Sequence, residues 1–516
     1  MKNLKNFPFH SILFAIFPTI SLMGHNIGQI SLIYIARPLV VSIILTILLL
    51  ILVFVFIKDW TKTGLIVTPM IIAFSMYGIL FDLIQDRTLL GFRLNHRFVL
   101  LFLLGLVIGA VAIYVLRRKG NLKLETQFIS IIGLAAVLLP AYQIVSYQLS
   151  NSTPPAPVEA IDPTEQTALT LGESSPDIYH FVLDSYSRSD LLKSAFKIDN
   201  SAFIEELKRL SFFVADCSWP NYVNTRLSLS TTLNLDYIDV IAPDATPKIQ
   251  NMGVVDPLIL HSKVRTDLEA LGYKTVSFQT GYLFTEFHDA DYYIPMASFS
   301  FFRPFVTPFE SLLLDETAFR LLKLIPAVKT WSIQSPLYEK YLIDKNKVAM
   351  LKNLDIPSPK FVFGHFAAAH RPFMFTADGS LQGDDRYYSK TNSRPINPEF
   401  GIKGYANGIA YLDTSMIDII KKLLASDNPP IIIIQGDHGN VRLEQQGILN
   451  AYYFPGQDYH SLYPNITPVN SYRVIFNQFF NGSMPLLPDR SYYSELNFDP
   501  FIFHEVYEES PACLNK

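Results

Sequence analysis

Along the first 150 residues apolar positions run almost unbroken, and the polar breaks between the runs are short. Five runs, at 9–29, 34–57, 64–84, 97–116 and 127–148, predict membrane-crossing helices, because a helix needs about 20 apolar residues to cross a hydrocarbon layer of about 30 Å. The second is the purest: from Val40 to Ile57 only Ser42 and Thr46 are polar. The first carries His25, Asn26 and Gln29 in its C-terminal third, so a shorter or re-entrant span fits it as well. Following spans and the lack of a small-residue cleavage site argue against a cleavable signal peptide.

After these runs the pattern ends. Residues 151–175 are rich in Pro, Ser, Thr and acids without apolar periodicity, which predicts an extended linker between a transmembrane domain at 1–150 and a second domain at 176–516. In that domain short β-rich runs alternate with helical periods. Strands are expected at 176–184, 212–215, 274–278, 360–366 and 431–434, and helices at 188–197, 202–210, 224–235, 258–271 and 405–424. Residues 280–350 are aromatic-rich and follow neither period, and are read as an insertion whose helices shape a substrate groove. The alternation predicts a doubly wound α/β sandwich, and the unbroken Ile431–Ile434 run suits a strand covered on both faces.

Composition explains the mean hydropathy of +0.23 by the first 150 residues alone. Lys plus Arg number 42 against 46 Asp plus Glu, a net charge of −4, which points away from a nucleic-acid partner. Cys217 and Cys513 allow one intrachain disulfide at most and cannot build a thiolate zinc site. Lys2, Lys5, Lys58, Lys62, Arg117, Arg118, Lys119 and Lys123 fall on one side of a five-span arrangement, with Arg87, Arg93 and Arg97 on the other. Because positive charge near span ends is retained inside, the second domain is expected outside the cytoplasm.

Chemistry gathers at the ends of the expected strands. The first strand ends in Asp184, the Ile431–Ile434 strand runs into Asp437 and His438, His370 follows the 360–366 strand, and Thr225 opens a helix. In a parallel sheet these ends converge on one edge, where open α/β sheets bind ligands. Carboxylate oxygen beside imidazole nitrogen suits a divalent cation such as zinc or manganese. A hydroxyl at a helix start lies among free N–H groups that can hold an anion.

In this order, the residues resemble the sulfatase-like branch of the alkaline phosphatase superfamily, and within it the membrane-anchored lipoteichoic acid synthases and lipid A phosphoethanolamine transferases. The resemblance covers the spans plus outward domain, and in detail Pro176–Leu235, Lys360–Phe373 and Tyr405–Phe480. It implies one divalent cation held by Asp184, Thr225, Asp437 and His438, with Thr225 as nucleophile and His370 on the phosphoryl oxygens; His365, five residues before His370, competes for a place in the site, and His460 is a candidate for a further ligand or substrate contact, the alternative being a surface histidine. It also implies a bacterial cytoplasmic membrane, a phospholipid donor and a cell-envelope acceptor. True sulfatases use C/S-x-P-x-R; here Ser218-Trp219-Pro220-Asn221-Tyr222 has Tyr where Arg is needed, and the proline lies one position too far from Cys217. The expected function is therefore transfer of a phospho-alcohol group from a lipid to a glycan or lipid, with hydrolysis of phosphate or sulfate esters, or non-catalytic binding on the same fold, as alternatives.

Overall fold

The computed structural model describes residues 7–28, 30–84, 96–151, 169–172, 176–245, 249, 251–296, 301–303, 305–384, 387, 398–440, 446–495, 499–506 and 513. Gln29, Arg87, Arg93 and nearly all of the expected linker lie outside the described residues. The chain packs as two compact units, Met1–Thr153 with Phe299–Pro336, and Pro154–Ser298 with Leu337–Lys516.

The first unit is built on five helices: α1 (Phe9–His25), α2 (Ala36–Ile57), α3 (Trp60–Ile84), α4 (His96–Arg117) and α5 (Lys123–Asn151). Four stretches, Leu32–Ile57, Trp60–Ile84, Arg97–Arg117 and Lys123–Leu149, are long and apolar enough to cross a membrane. Phe9–His25 is apolar but only 17 residues long. It lies tightly on α5, where a Cβ on Gly133 would come within 3.3 Å of Phe14 and Leu13. Outward faces are apolar, with Ile44, Leu48, Leu52 and Phe102 exposed; such faces are stable against lipid rather than water.

The Phe299–Pro336 stretch joins this unit from the second half of the sequence. Its helix Pro308–Glu316 starts with a capping box, the Thr307 hydroxyl accepting from the Glu310 N–H while the Glu310 carboxylate accepts from the Thr307 N–H. Glu310 also ion-pairs with Arg37, whose Nε donates to Oε1 at 2.6 Å. The remaining Arg37 donors reach the carbonyls of Arg303 at 2.9 Å and Phe305 at 2.6 Å. One guanidinium thus ties the start of α2 to a segment some 270 positions later. No single-sequence period marks that pairing, so the stretch reads as part of the second domain.

The second unit holds a seven-stranded sheet made of β1 (Ile178–Leu183), β2 (Phe213–Val214), β3 (Lys274–Phe278), β4 (Tyr292–Ile294), β5 (Lys360–Phe366), β6 (Ile431–Gln435) and β7 (Asn450–Tyr453). The spatial order is β2-β7-β6-β1-β5-β3-β4. Strands β6, β1, β5, β3 and β4 are parallel, whereas β7 runs antiparallel to β6 and pairs antiparallel with β2. The sheet is therefore mixed at one edge, an arrangement common in the doubly wound α/β sandwich that the sequence predicts. Side chains alternate between two cores: Ile431 and Ile433 with Phe361 and Phe363 on one face, Ile432 and Ile434 with Phe181 and Phe366 on the other. At about 25 cal/mol per Å² of apolar surface buried, strands covered on both faces contribute to the stability of both cores.

Helices Ser189–Phe196, Ser201–Arg209 and Thr225–Asn234 stand within one residue or so of expectation. The expected 258–271 helix is two, Asp256–Leu260 and Lys263–Ala270, divided at His261 and Ser262. The helix before β6 spans Pro398–Leu424. Cys217 and Cys513 form a disulfide, closing a loop across a sequence separation of 296.

Candidate metal centre

The parallel register brings the ends of β5, β1 and β6 side by side, with Val182 opposite His365 on β5 and opposite Gln435 on β6. Beyond β6 a small residue is required, because a Cβ on Gly436 would stand 2.4 Å from the Tyr186 carbonyl. That close approach sets Asp437 beside Asp184. Ser185 adopts the left-handed region at φ 64°, which costs a non-glycine residue about 1–3 kcal/mol, and its N–H donates to Asp437 Oδ1 at 3.0 Å. The Ser185 hydroxyl donates to Asp184 Oδ1 at 3.0 Å, and the His438 N–H to Asp437 Oδ1 at 2.9 Å.

Buried Asp184, His365 and Asp437 each present a ligand atom, all within 4.8 Å of one another. His365 Nε2 stands 3.4 Å from Asp184 Oδ2, and His438 Nε2 stands 3.7 Å from Asp184 Oδ1 and 3.6 Å from Asp437 Oδ2. Thr225 Oγ1 lies 3.3 Å from His438 Nε2. Thr225 is the first residue of its helix, and Asn224 supplies the cap by accepting from the Arg226 N–H.

The tautomers are set from behind. His438 Nδ1 stands 2.9 Å from the Gly439 carbonyl, which can only accept, so Nδ1 carries a proton and Nε2 is the ring atom turned toward the acids. His365 Nδ1 is 3.2 Å from the Thr285 hydroxyl, which has the Tyr282 carbonyl as its own acceptor and so is free to accept. Asp437 Oδ2 and His365 Nε2 are buried without a hydrogen-bond partner. Two buried carboxylates this close together, with Asp437 Oδ2 and His365 Nε2 left unpartnered, are costly unless a cation lies among them, and carboxylate oxygen with imidazole nitrogen is the donor set of zinc or manganese. The residues present therefore fit a divalent ion. Burial would raise the Asp184 carboxyl, but His370, His365 and His438 outweigh it and hold the group well below the usual carboxylate range. Burial would lower His438, while Asp437 and Asp184 bring it above the ordinary imidazole value.

His370 follows β5 in a turn closed by its own N–H on the Ala367 carbonyl at 3.0 Å. The Pro398–Leu424 helix presses on this turn, a Cβ on Gly408 standing 2.3 Å from the Ala368 carbonyl. The Tyr282 ring lies 6.0 Å from the His365 ring and 6.4 Å from the His370 ring. Lys340 Nζ sits over the same ring at 4.7 Å. Burial lowers this lysine, opposed by the charges of Asp184, Asp344 and Glu339. Neither Tyr282 nor Lys340 stands out in the sequence, since both fall in the stretch without a period.

The remaining expectations resolve differently. His460 is well exposed, its side chain at 70%, and its Nδ1 meets Asp458 at 2.7 Å; none of its described contacts reaches the cluster. Ser218 is buried, donating to the Ile466 carbonyl at 2.6 Å, and Cys217 is spent on the disulfide. Arg226 pairs with Asp256 at 2.6 Å over the Phe284 ring.

No protein-family model matches the chain, and no curated protein matches it. Among solved structures it is similar to the C-terminal periplasmic domain of EcEptC from Escherichia coli in complex with Zn, at 12% identity and TM-score 0.40, covering 66% of this chain and 95% of that one. It is similar also to the soluble domain of lipooligosaccharide phosphoethanolamine transferase A from Neisseria meningitidis, at 11% and 0.35, covering 60% and 90%. A third is the lipoteichoic acid synthase LtaP from Listeria monocytogenes, at 13% and 0.33, covering 63% and 80%.

Proposed function

We propose that the chain is a membrane-anchored, cation-dependent transferase that moves a phospho-alcohol group from a phospholipid to a cell-envelope glycan or lipid through Thr225. The observation that carries this reading is the Thr225 hydroxyl, 3.3 Å from His438 Nε2, at the edge of a buried Asp184, His365 and Asp437 cluster with orphaned donor atoms. Asp184, Asp437, His438 and His365 hold the ion, with Thr225 joining them. A bound divalent cation lowers the pKa of a neighbouring hydroxyl and offsets charge that develops on a phosphoryl group.

Thr225 Oγ bonds to phosphorus as the bond from phosphorus to the lipid glycerol oxygen breaks, the Thr225 proton passing to that glycerol oxygen, which leaves the phospho-alcohol esterified on Thr225 and diacylglycerol free. An acceptor hydroxyl then displaces Thr225 and carries the phospho-alcohol away. His370 donates to a non-bridging oxygen, and the Tyr282 ring, with Lys340 over it, lies beside His370. His460 has no part in this scheme. With Phe9–His25 as a fifth crossing, the second unit lies on the outer face of a bacterial cytoplasmic membrane, where the donor diffuses in the plane.

The test uses the full chain with headgroup-labelled phospholipid and a divalent salt. Diacylglycerol and a labelled acceptor should appear together; free labelled headgroup with no modified acceptor would make the chain a hydrolase. Thr225→Ala should lower turnover by roughly 10³-fold or more while the chain still binds the cation. Full activity in that variant removes Thr225 from the reaction.

A further inference from the structure

The turn that carries the first acid of the metal centre is held from behind by a tyrosine. Tyr405 lies on the Pro398–Leu424 helix and is fully buried, as is Ser187. The Tyr405 hydroxyl stands 2.7 Å from the Ser185 carbonyl, 3.1 Å from the Ser187 backbone nitrogen and 3.2 Å from the Ser187 hydroxyl. A carbonyl can only accept, so the one phenolic proton goes to Ser185, and the phenol oxygen accepts from the Ser187 N–H and hydroxyl. The Ser187 oxygen in turn accepts from the Asn440 N–H at 2.8 Å. The links therefore run in one direction, from Asn440 through Ser187 and Tyr405 to Ser185, and hydrogen bonds aligned in this way strengthen one another.

Each end of this chain of bonds is a ligand turn. Ser185 follows Asp184, and its left-handed backbone at φ 64° aims its N–H at Asp437. Asn440 stands two residues after His438, whose Nδ1 meets the carbonyl of the intervening Gly439. Tyr405 thus braces the Asp184 turn directly and the Asp437–His438 turn through Ser187.

The helix is shaped for this reach. Gly404 and Gly408 lie one turn apart on either side of Tyr405; a Cβ on Gly404 would stand 2.5 Å from the Phe373 ring, and one on Gly408 2.3 Å from the Ala368 carbonyl. Two positions without a side chain let the helix settle on the turn that follows β5, and from there the tyrosine spans the remaining gap to Ser185.

We propose that Tyr405 is a positioning residue of the metal centre: its hydroxyl, with that of Ser187, fixes the Asp184 turn against the Asp437–His438 turn and so sets how tightly, and in what geometry, the cation is held. The inference rests on the cation reading of the cluster and involves no step at Thr225.

The full chain in detergent micelles, stripped with a chelator, is titrated with cobalt(II) chloride, whose visible absorption reports both binding and the arrangement of its ligands. Tyr405→Phe should weaken cobalt binding by about 10- to 100-fold, as loss of a hydrogen bond behind a metal ligand does, and should alter the absorption bands. Ser187→Ala, the smaller change, should weaken binding in the same sense by a smaller factor. Tyr273→Phe is the control for a lost tyrosine hydrogen bond, because the buried Tyr273 donates to the Pro176 carbonyl at 2.9 Å, at the opposite end of β1; it should bind cobalt as the parent chain does. A parent chain that takes up no cobalt would overturn the cation reading and this inference with it. Where the parent binds, parental affinity and bands in Tyr405→Phe, or in Ser187→Ala should the first variant not fold, would overturn the role of Tyr405 alone, as would an equal loss in Tyr273→Phe.

Discussion

Two buried groups of charge differ in how they are satisfied. Around Arg37 every donor has an acceptor, from Glu310 and from the carbonyls of Arg303 and Phe305. At the sheet edge the carboxylates of Asp184 and Asp437 stand beside the His365 and His438 rings, and Asp437 Oδ2 and His365 Nε2 have no hydrogen-bond partner. The first cluster is closed and holds two distant segments together. The second is incomplete within the protein, which is the condition for binding something from outside it. Burial and charge alone would not separate them; completeness of pairing does.

The largest effect should come from opening the closed cluster. Arg37→Ala leaves Glu310 buried without its partner and should cost about 3–5 kcal/mol of stability, whereas Arg37→Met with Glu310→Leu should recover most of it. Equilibrium unfolding of the chain in micelles would check this; equal losses in the single and double variants would mean that the clamp matters for packing and not for charge.

The incomplete cluster should behave in the opposite way. A divalent salt at a hundredfold excess over its dissociation constant should raise the stability of the native chain by about 2.7 kcal/mol. Asp437→Asn should remove that increment and leave the cation-free chain no less stable, since it relieves repulsion between two acids. Thermal unfolding with and without the salt reads both, and an Asp437→Asn chain that still gains the full increment would place the ion elsewhere.

Asp413 sharpens the comparison as an intermediate case. Burial raises its carboxyl to about 7, and the neighbouring Tyr186 hydroxyl, 2.5 Å away, only partly opposes this. Its proton is held more tightly folded than unfolded, so its contribution is fully present at acid pH and is lost as pH rises from the ordinary carboxylate range to about 7. The loss should be on the order of 1–2 kcal/mol, reduced by partial exposure, and Asp413→Asn should flatten the stability profile across that window. A profile unchanged by the substitution would assign the slope to other groups.

Much of the second unit is legible in the sequence because its strands are buried on both faces and its chemistry sits where apolar runs stop. Asp184 and Asp437 mark the ends of β1 and β6 within a residue or two, and Thr225 follows a capping Asn224. His365 is harder to read, since it lies inside β5 among phenylalanines; only the period of two, which sets it with Phe361 and Phe363 at the strand's exit, hints that it faces the site. Strand β7 is short and pairs antiparallel, so Asn450–Tyr453 gives no parallel-strand signature. Lys340 and Tyr282 meet through tertiary packing across 58 positions, a contact that no local pattern encodes.

The return of Phe299–Pro336 to the helical unit bears on how the molecule can be handled. Leu312, Leu322, Leu324, Ile325 and Trp331 remain exposed even with their helical neighbours in place. Cutting the chain after α5 would strip those neighbours away and leave the stretch as a greasy loop in the middle of the remaining sequence. A water-soluble fragment therefore requires two cuts, the second replacing this loop by a short polar bridge between Ser298 and Leu337.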